Sequence, residues 1–381
     1  MTQSGKPKLL YICHCFNNRA GVEEHLRTLS AALKQTYQIS IVFPENGQIH
    51  LMRPGQPNLS FPGERLSILA PLKAPQTQAS LDEVFKLINP DLIHIMHFVN
   101  WPLSVIEQAI QSGRPVVMSF HDYYAITPHY TMQGEKDSSQ TTTPAYAVKL
   151  FGKDISPYLL QRRSIITSAL GRAKALAVPS PYLARVLGQI FPFDFKVIEY
   201  GIRPFTPQKV IKNWTGLRFG YLGSLLPQKG WESLFTAFQK IAPIYPQAEL
   251  HFFGGMDKAA PVSPGIFFHG IFEQSDLPQI LPHLDVGIIP SVFAETYSLV
   301  LSEMWQAGLP VAVSNIGAMG ERVTDGVNGR KFEPGNISQI AEVLTWFLEQ
   351  DDWRMWPVPN VRLDLEMASE YDTWYQNALR N

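Results

Sequence analysis

At 381 residues the chain is longer than one compact domain usually runs, so two domains of similar size are expected, each with its own core. Its 32 basic and 33 acidic side chains leave a formal net charge of -1, which excludes the global positive field of a nucleic-acid binder. Two cysteines, Cys13 and Cys15, exclude a disulfide framework, and no apolar run approaches the roughly 20 residues that cross a bilayer.

The opening MTQSGKPKLL leads into YICHCF and lacks the apolar core and small-residue cleavage site of a secretory signal, so a cytoplasmic protein is expected. Short apolar runs then alternate with amphipathic stretches: LLYICHC, ISIVF, LIHIM, PVVMSF, ALAVPS and KVIEY up to residue 200, then LRFGYLG, ELHFFGG, DVGIIPS and PVAVSN. This alternation predicts an α/β fold of parallel sheets wrapped by helices, and its appearance in two sets predicts two such domains. Between the sets, RPFTPQKVIKNWTG (residues 203 to 216) carries prolines and no apolar periodicity, which marks a linker and sets the boundary between residues 1–203 and 204–365. Ligands of open parallel sheets bind beyond the carboxyl ends of the strands, so two such domains are expected to face each other across a cleft.

Along the first domain, Cys13-His14-Cys15 falls short of the four ligands of a zinc site and reads as strand. Ala20-Gly21 precedes a helical stripe of Val22, Leu26, Leu29 and Leu33, and a glycine at that turn lets backbone approach a diphosphate. His94 and His97 alternate with apolar residues in LIHIMHF and read as structural. His121 follows PVVMSF at the end of a strand, and Asp122 behind it could cap a helix through Tyr123, Tyr124 and Ala125. Residues 132 to 144, MQGEKDSSQTTTP, are polar enough for a mobile loop that orders over substrate. Lys149, Lys153, Arg162, Arg163, Arg172 and Lys174 stand against the single acid Asp154, interleaved with apolar residues, which fits either a helix on the inner face of a membrane or an ordinary amphipathic helix.

In the second domain Lys229 lies in the loop from Gly223 to Gly230, and Glu295 and Glu303 flank Thr-Tyr-Ser-Leu-Val-Leu-Ser after the strand DVGIIPS. A helix starting near Thr296 would offer free N–H groups and a positive dipole end to a phosphate or to the sugar it carries. Glu303, about two turns on, would share the side of the helix start, where a carboxylate can accept from both hydroxyls of a ribose. No Asp-x-Asp stands at a strand end, so no metal bridging a diphosphate is expected and no other cofactor is implied.

Glu295 and Glu303 match the E-x7-E pattern, and with Asn17-Asn-Arg-Ala-Gly21, Phe120-His121-Asp122, Gly220-Tyr-Leu-Gly223, Lys229-Gly230, Gly317-Ala-Met-Gly320-Glu321 and Asp325-Gly-Val-Asn-Gly329 the chain resembles the retaining glycosyltransferases of family 4. The resemblance implies the GT-B fold, two Rossmann-like domains facing across a cleft, with a C-terminal segment from residue 366 to 381 packing back on the first domain. It implies transfer of a hexose-type sugar, with retained configuration, from a nucleoside-diphosphate sugar to an acceptor hydroxyl on a glycan, lipid-linked or small-molecule partner, in cell-surface polysaccharide or glycolipid synthesis. It further implies catalytic positions at His121, Lys229 and Glu295, and donor contacts at Gly21, Gly223, Ser224, Lys229, Tyr297, Ser298, Leu299 and Glu303. The family's basic pair around the diphosphate is reduced here, because Ser224 stands at the first position, with Arg19 or Arg322 as its replacement.

Rival readings are a nicotinamide oxidoreductase, which lacks its Gly-x-Gly-x-x-Gly at the first helix, a catalytically silent sugar-nucleotide-binding protein, and a sugar-nucleotide epimerase of the same fold.

Overall fold

The computed structural model describes residues 5–18, 20–132, 138–256 and 259–380. Its contacts divide the chain into two compact units, residues 1–201 with 364–381, and residues 202–363. Both breaks fall two residues before the positions read from sequence, 203/204 and 366.

The strands of the first unit are β1 (Lys8–Ile12), β2 (Gln38–Glu45), β3 (Gln48–Met52), β4 (Leu59–Pro62), β5 (Leu92–Ile95), β6 (Val116–Ser119), β7 (Ala175–Val178) and β8 (Lys196–Val197). They form one sheet in the order β4-β3-β2-β1-β5-β6-β7-β8. All neighbours are parallel except β2–β3 and β3–β4. The six apolar runs of the first half account for the parallel strands. The antiparallel edge hairpin went unread, although Asn46-Gly47 between β2 and β3 is a strong hairpin-turn signal.

The helices of this unit are α1 (Gly21–Leu33), α2 (Pro75–Ile88), α3 (Ser104–Gln111), α4 (Pro144–Phe151), α5 (Ser156–Leu170) and α6 (Pro181–Gly188). The stripe read from sequence in α1 is buried at Leu26, Leu29 and Leu33. Against it lies the last helix of the chain, Asp364–Arg380, which puts Met367, Tyr371, Trp374 and Tyr375 into the same core as Leu9, Tyr11 and Ile41. Tyr37 donates to Asp372 Oδ1 at 2.6 Å and fixes the helix register.

The second unit carries β9 (Arg218–Leu222), β10 (Glu249–Phe253), β11 (Ile266–Phe268), β12 (Val286–Ile289), β13 (Val311–Ser314) and β14 (Arg330–Phe332) in the order β11-β10-β9-β12-β13-β14, every pair parallel. The two edge strands, three residues each, were too short to register as apolar runs. Its helices are α7 (Trp231–Ile241), α8 (Leu277–Ile280), α9 (Leu299–Gln306), α10 (Gly317–Arg322) and α11 (Ile337–Glu349); the C-terminal helix of the first unit is α12.

Each sheet has one point at which its strand order reverses. In the first unit β1 runs on to β2 on one side while β5 pairs on the other; in the second β9 stands between β10 and β12 in the same way. Loops leaving the carboxyl ends of two such strands diverge and open a crevice, which is where ligands of open α/β sheets bind.

Candidate functional site

At the β9/β12 reversal of the second unit, two loops are locked together by backbone. Gly230 has φ 71° and a side chain there would meet the Pro290 carbonyl at 1.9 Å, while Val292 N–H donates to the Gln228 carbonyl at 3.0 Å. Only glycine permits both the left-handed turn and that approach. The result is that Lys229 Nζ sits 2.9 Å from Glu295 Oε1 and 5.2 Å over the Phe293 ring. Burial alone would raise the Glu295 carboxyl, but the Lys229 charge with hydrogen bonds from Ser291, Lys229 and Ser298 outweighs it and holds the group ionised below its ordinary range. A second close approach fixes Glu295 from behind: Gly317, φ 63°, leaves no room for a side chain against the Glu295 backbone, and Ala318 N–H donates to the Glu295 carbonyl at 2.8 Å.

The helix after Glu295 begins at Leu299 and not near Thr296. Thr296, Tyr297 and Ser298 form a turn, with Ser298 at φ 72°, ψ 93°, a conformation costing on the order of 1–3 kcal/mol outside glycine. Arg322 holds that turn: Nη1 donates to the Tyr297 and Ser298 carbonyls at 2.9 and 3.0 Å, Nη2 to Ser302 Oγ at 2.7 Å, and the guanidinium lies 4.1 Å over the Tyr297 ring. The arginine offered as a substitute diphosphate ligand is therefore committed to the turn, while Arg19 lies outside the described residues. Glu303 lies one turn past Leu299, still on the side of the helix start, buried, and accepting from Gln274 Nε2 at 2.9 Å. Gln274 opens a short 3-10 turn, Gln274–Asp276, capped by Glu273 and Asp276, and went unread because nothing local ties that turn to Glu303. Gly223 leaves β9 at φ 135°, and the exposed Ser224 is held through its carbonyl by the Tyr221 hydroxyl at 2.7 Å.

At the end of β6 the first unit places a buried imidazole. His121, at the end of β6, has Nε2 2.7 Å from Ser119 Oγ and Nδ1 2.5 Å from the Tyr200 hydroxyl. Ser119 Oγ is also 2.8 Å from His94 Nε2, whose Nδ1 lies 2.8 Å from the Tyr375 hydroxyl of α12, and Tyr375 meets Tyr11 at 3.1 Å. Burial, then the neighbouring histidines, push His121 well below the ordinary histidine range, and burial with His25 does the same to His94. Both rings are therefore neutral. His94, read as a packing residue, is the middle of a hydrogen-bonded array that ends on His121; strand alternation showed that it was buried but not what it faced.

His97 Nδ1 accepts from Val99 N–H at 3.1 Å, so Nε2 donates to Asp122 Oδ2 at 2.9 Å. Asp122 also accepts from Tyr124 N–H at 2.8 Å and caps a turn, with no helix following through Ala125. Gly21, exposed, is the first residue of α1 behind an Ala20 that makes no side-chain cap. Cys13 is buried and Cys15 half-buried, both as free thiols, and no group of three or more His, Cys, Asp or Glu among the described residues is placed to hold a metal.

The basic stretch reads differently in three dimensions. Arg162 is buried, donating to the carbonyls of Tyr124 and Ala125, and its guanidinium lies 4.6 Å over the Tyr124 ring. Arg163 donates to Thr141 Oγ1 and Arg172 pairs with Glu107, so these three arginines serve the protein itself. Among the described residues no helix is long and apolar enough to cross a membrane. In the polar segment 132–144, residues 133–137 lie outside the described residues, and Ser138–Thr142 form a short 3-10 turn with Thr141 fully buried.

Two family models match the chain, "Glycosyltransferase Family 4" over residues 19–204 and "Glycosyl transferases group 1" over residues 216–350. An uncharacterized glycosyltransferase of Methanocaldococcus jannaschii is 30% identical over 161 residues, which span 40% of this chain and 41% of that protein. A phosphatidyl-myo-inositol mannosyltransferase of Propionibacterium freudenreichii is 22% identical over 87% of this chain and 83% of its own length. Among solved structures, Anabaena HepE in complex with UDP-glucose aligns with a TM-score of 0.66 at 16% identity, covering 97% of this chain and 99% of that one. Sucrose-phosphate synthase from Thermosynechococcus elongatus aligns with a TM-score of 0.65 at 16% identity, covering 98% and 97%. At such identities the structural likeness speaks for the fold alone, the two-domain GT-B architecture.

Proposed function

The chain belongs to the family 4-type glycosyltransferases, and from that premise we propose that it moves a hexose-type sugar from a nucleoside-diphosphate donor to an acceptor hydroxyl with retained anomeric configuration, in polysaccharide or glycolipid synthesis. The observation that carries this reading is the Lys229–Glu295 pair at the β9/β12 reversal. In it, Lys229 meets the charge that grows on the departing diphosphate, Glu295 and the turn at Tyr297-Ser298 orient the sugar, Leu299 opens the helix toward phosphate, and Glu303 holds the ribose. Gly21 and Gly223 are the positions where bare backbone suits a diphosphate. His121 stays neutral and contributes shape and a fixed dipole in place of a proton. No divalent metal takes part, the charge being met by Lys229 and by backbone N–H groups.

The full-length relative named for phosphatidyl-myo-inositol and the neighbour solved with UDP-glucose support a nucleotide-sugar donor and a hydroxylated acceptor. The test is product stereochemistry. Incubation with UDP-, GDP- and ADP-hexoses and a panel of hydroxylated acceptors should give a glycoside whose anomeric coupling in proton NMR matches the donor. An inverted product sinks the retaining mechanism, and a rate abolished by chelator and restored by manganese sinks the metal-free one.

A further inference from the structure

The sheet of the first unit carries a cavity at the pole opposite His121. It lies at the amino ends of β1 and β2, beside the last turn of α1 and the end of β3, and encloses about 470 Å³. Sites for small molecules run from roughly 300 to 1,000 Å³. Its lining is of two kinds. Ile39 and Ile41, both buried, and the half-buried Met52 give it an apolar floor. Lys6, Lys34 and Arg53 stand around that floor, and no acidic side chain joins them. Among the described residues none of the three cations has an ion-pair partner. Lys6 Nζ donates to the Lys34 carbonyl at 3.0 Å and so meets the negative end of α1. Arg53 Nη2 reaches the Pro57 carbonyl at 3.3 Å, while Arg53 Nε and Ser30 Oγ are buried atoms with no hydrogen-bond partner.

These groups select a ligand by charge and by shape. An arginine Nε–H can only donate, and a buried donor left unanswered is costly, so the complement is an acceptor. Phosphate oxygens fit the guanidinium fork two at a time, and lysines meet the same charge as point cations. Three unpaired cations call for more than one negative charge. A phosphate monoester carries about -1.5 to -2 near neutral pH, which a single carboxylate does not reach. A neutral sugar fits poorly, because its hydroxyls also need acceptors and the lining is apolar or cationic. A nucleotide base fits poorly too: the Tyr37 ring is 2% exposed and packs edge-on against Tyr375, so it offers no open face for stacking. What the floor does suit is an alkyl chain.

We propose that this cavity binds one molecule of an alkyl phosphate monoester, with the head on Arg53, Lys34 and Lys6 and the chain along Ile39, Ile41 and Met52. The site lies wholly within the first unit, at the end of the sheet away from the strand ends that carry His121. It is therefore a second ligand site, and it stands whether or not the chain transfers sugar.

The probe is octyl phosphate, kept below its micellar concentration and added to the full chain carrying 13C-labelled methionine and isoleucine methyls. Calorimetry should show saturable one-to-one binding, and the methyl resonances of Met52, Ile39 and Ile41 should move with it, assigned by Met52→Leu, Ile39→Val and Ile41→Val. Octanol and inorganic phosphate, each lacking one half of the ligand, should bind at least about tenfold more weakly. Lys34→Glu and Arg53→Gln should each weaken octyl phosphate about tenfold with an unchanged thermal melt. Lys34 is exposed, so its variant decides the case even if Arg53→Gln does not fold. Octanol binding as tightly as octyl phosphate overturns the role of the cations, and inorganic phosphate binding as tightly overturns the role of the floor. Shifts confined to other methyls, or wild-type affinity in Lys34→Glu, overturn the place. Binding to phosphatidylglycerol vesicles with no response to monomeric octyl phosphate overturns the discrete site and makes this pole a membrane-facing surface.

Discussion

The two strand-order reversals are built in opposite electrostatic styles. In the second unit the crevice holds a charged pair, Lys229 on Glu295, with Arg322 beneath the adjoining turn. In the first it holds buried imidazoles, of which His14, His94 and His121 are lowered by burial, beside the Glu23 and Asp122 carboxylates, and hydrogen bonds reach back through His94 to Tyr375 on the last helix. Both sheets reverse their strand order once between parallel strands, so topology alone does not decide the chemistry. Side-chain charge at the carboxyl ends of the two middle strands does. A fixed cation suits the leaving diphosphate of the proposed reaction; buried imidazoles that stay neutral suit hydroxyl groups.

Breaking the first unit's side of the comparison should have the largest effect. Tyr375→Ala removes a fully buried ring and leaves the Tyr11 hydroxyl and His94 Nδ1 without their partner. Destabilisation of about 3 to 5 kcal/mol is expected, the range for buried aromatic truncation. Hydrogen exchange followed by mass spectrometry should show protection falling in peptides of residues 5–201 and unchanged in 202–363. Equal loss in both would show that the neutral array is not confined to its own unit.

The corresponding cut in the second unit is Lys229→Ala. Its effect is kinetic, because leaving-group charge grows as the bond to the sugar breaks, and a contact of the oxyanion type is worth roughly 2.7–4 kcal/mol, a hundredfold to a thousandfold in rate. Nucleotide affinity should fall much less. A wild-type rate at saturating donor would remove Lys229 from the mechanism. Arg322→Ala sharpens the contrast: since Arg322 carries the turn at Tyr297-Ser298, both affinity and rate should drop together.

How much of this was legible differs between the units for a physical reason. The parallel strands could be read because apolar runs bounded by turn residues are a local signal, and Glu295, Glu303 and Lys229 could be read because a motif at fixed spacing is local too. The short edge strands of the second unit carried too few apolar residues to stand out, while the hairpin into β3 was legible at Asn46-Gly47 and was passed over. The start of α9 was misplaced because the Arg322 that arrests the turn is far along the chain. His14, Glu23, His94 and Tyr375 were invisible as a group: they come from β1, α1, β5 and α12, and their meaning lies in which proton each holds, a property of contact and not of spacing.

Acid should separate the two styles at intermediate magnitude. His25, buried, is lowered to about 3 by desolvation, and His14, His94 and His121 are lowered too. A histidine whose folded value lies below its unfolded one loses stability as pH falls through roughly 6.5 toward the folded value, since the unfolded chain binds protons first. From His25 alone, the loss by pH 4.5 is on the order of 3 kcal/mol. Glu295, lowered by Lys229 and its hydroxyl partners, keeps its contribution until pH falls below the ordinary glutamate value of about 4.3. In the second unit His251 and His269 are lowered by burial as well, though they are less buried than His25, His94 and His121, so exchange protection should fall further in the first unit than in the second between pH 6.5 and 4.5; the reverse order would contradict the buried-histidine account.

The smallest effect tests the direction of the array. Tyr11 is fully buried, and Tyr375 is the partner the structure gives its hydroxyl, so Tyr11 O–H donates to Tyr375. The Tyr375 proton then goes to His94 Nδ1, which puts the His94 proton on Nε2 toward Ser119. Ser119 in turn donates to His121 Nε2 at 2.7 Å in preference to the weak acceptor Met96 Sδ at 3.5 Å, and His121 carries its proton on Nδ1 toward Tyr200. His94 and His121 are thus opposite tautomers. Tyr11→Phe should cost only about 0.5–1.5 kcal/mol and leave both tautomers in place, because the Tyr375 hydroxyl still has His94 to donate to. Tyr200→Phe should instead move the His121 proton to Nε2, since a buried N–H without an acceptor is the worse of the two vacancies. Long-range 1H–15N spectra read both outcomes. Matching tautomers in the unmodified protein would mean that Ser119 turns to Met96 and that the array stops there.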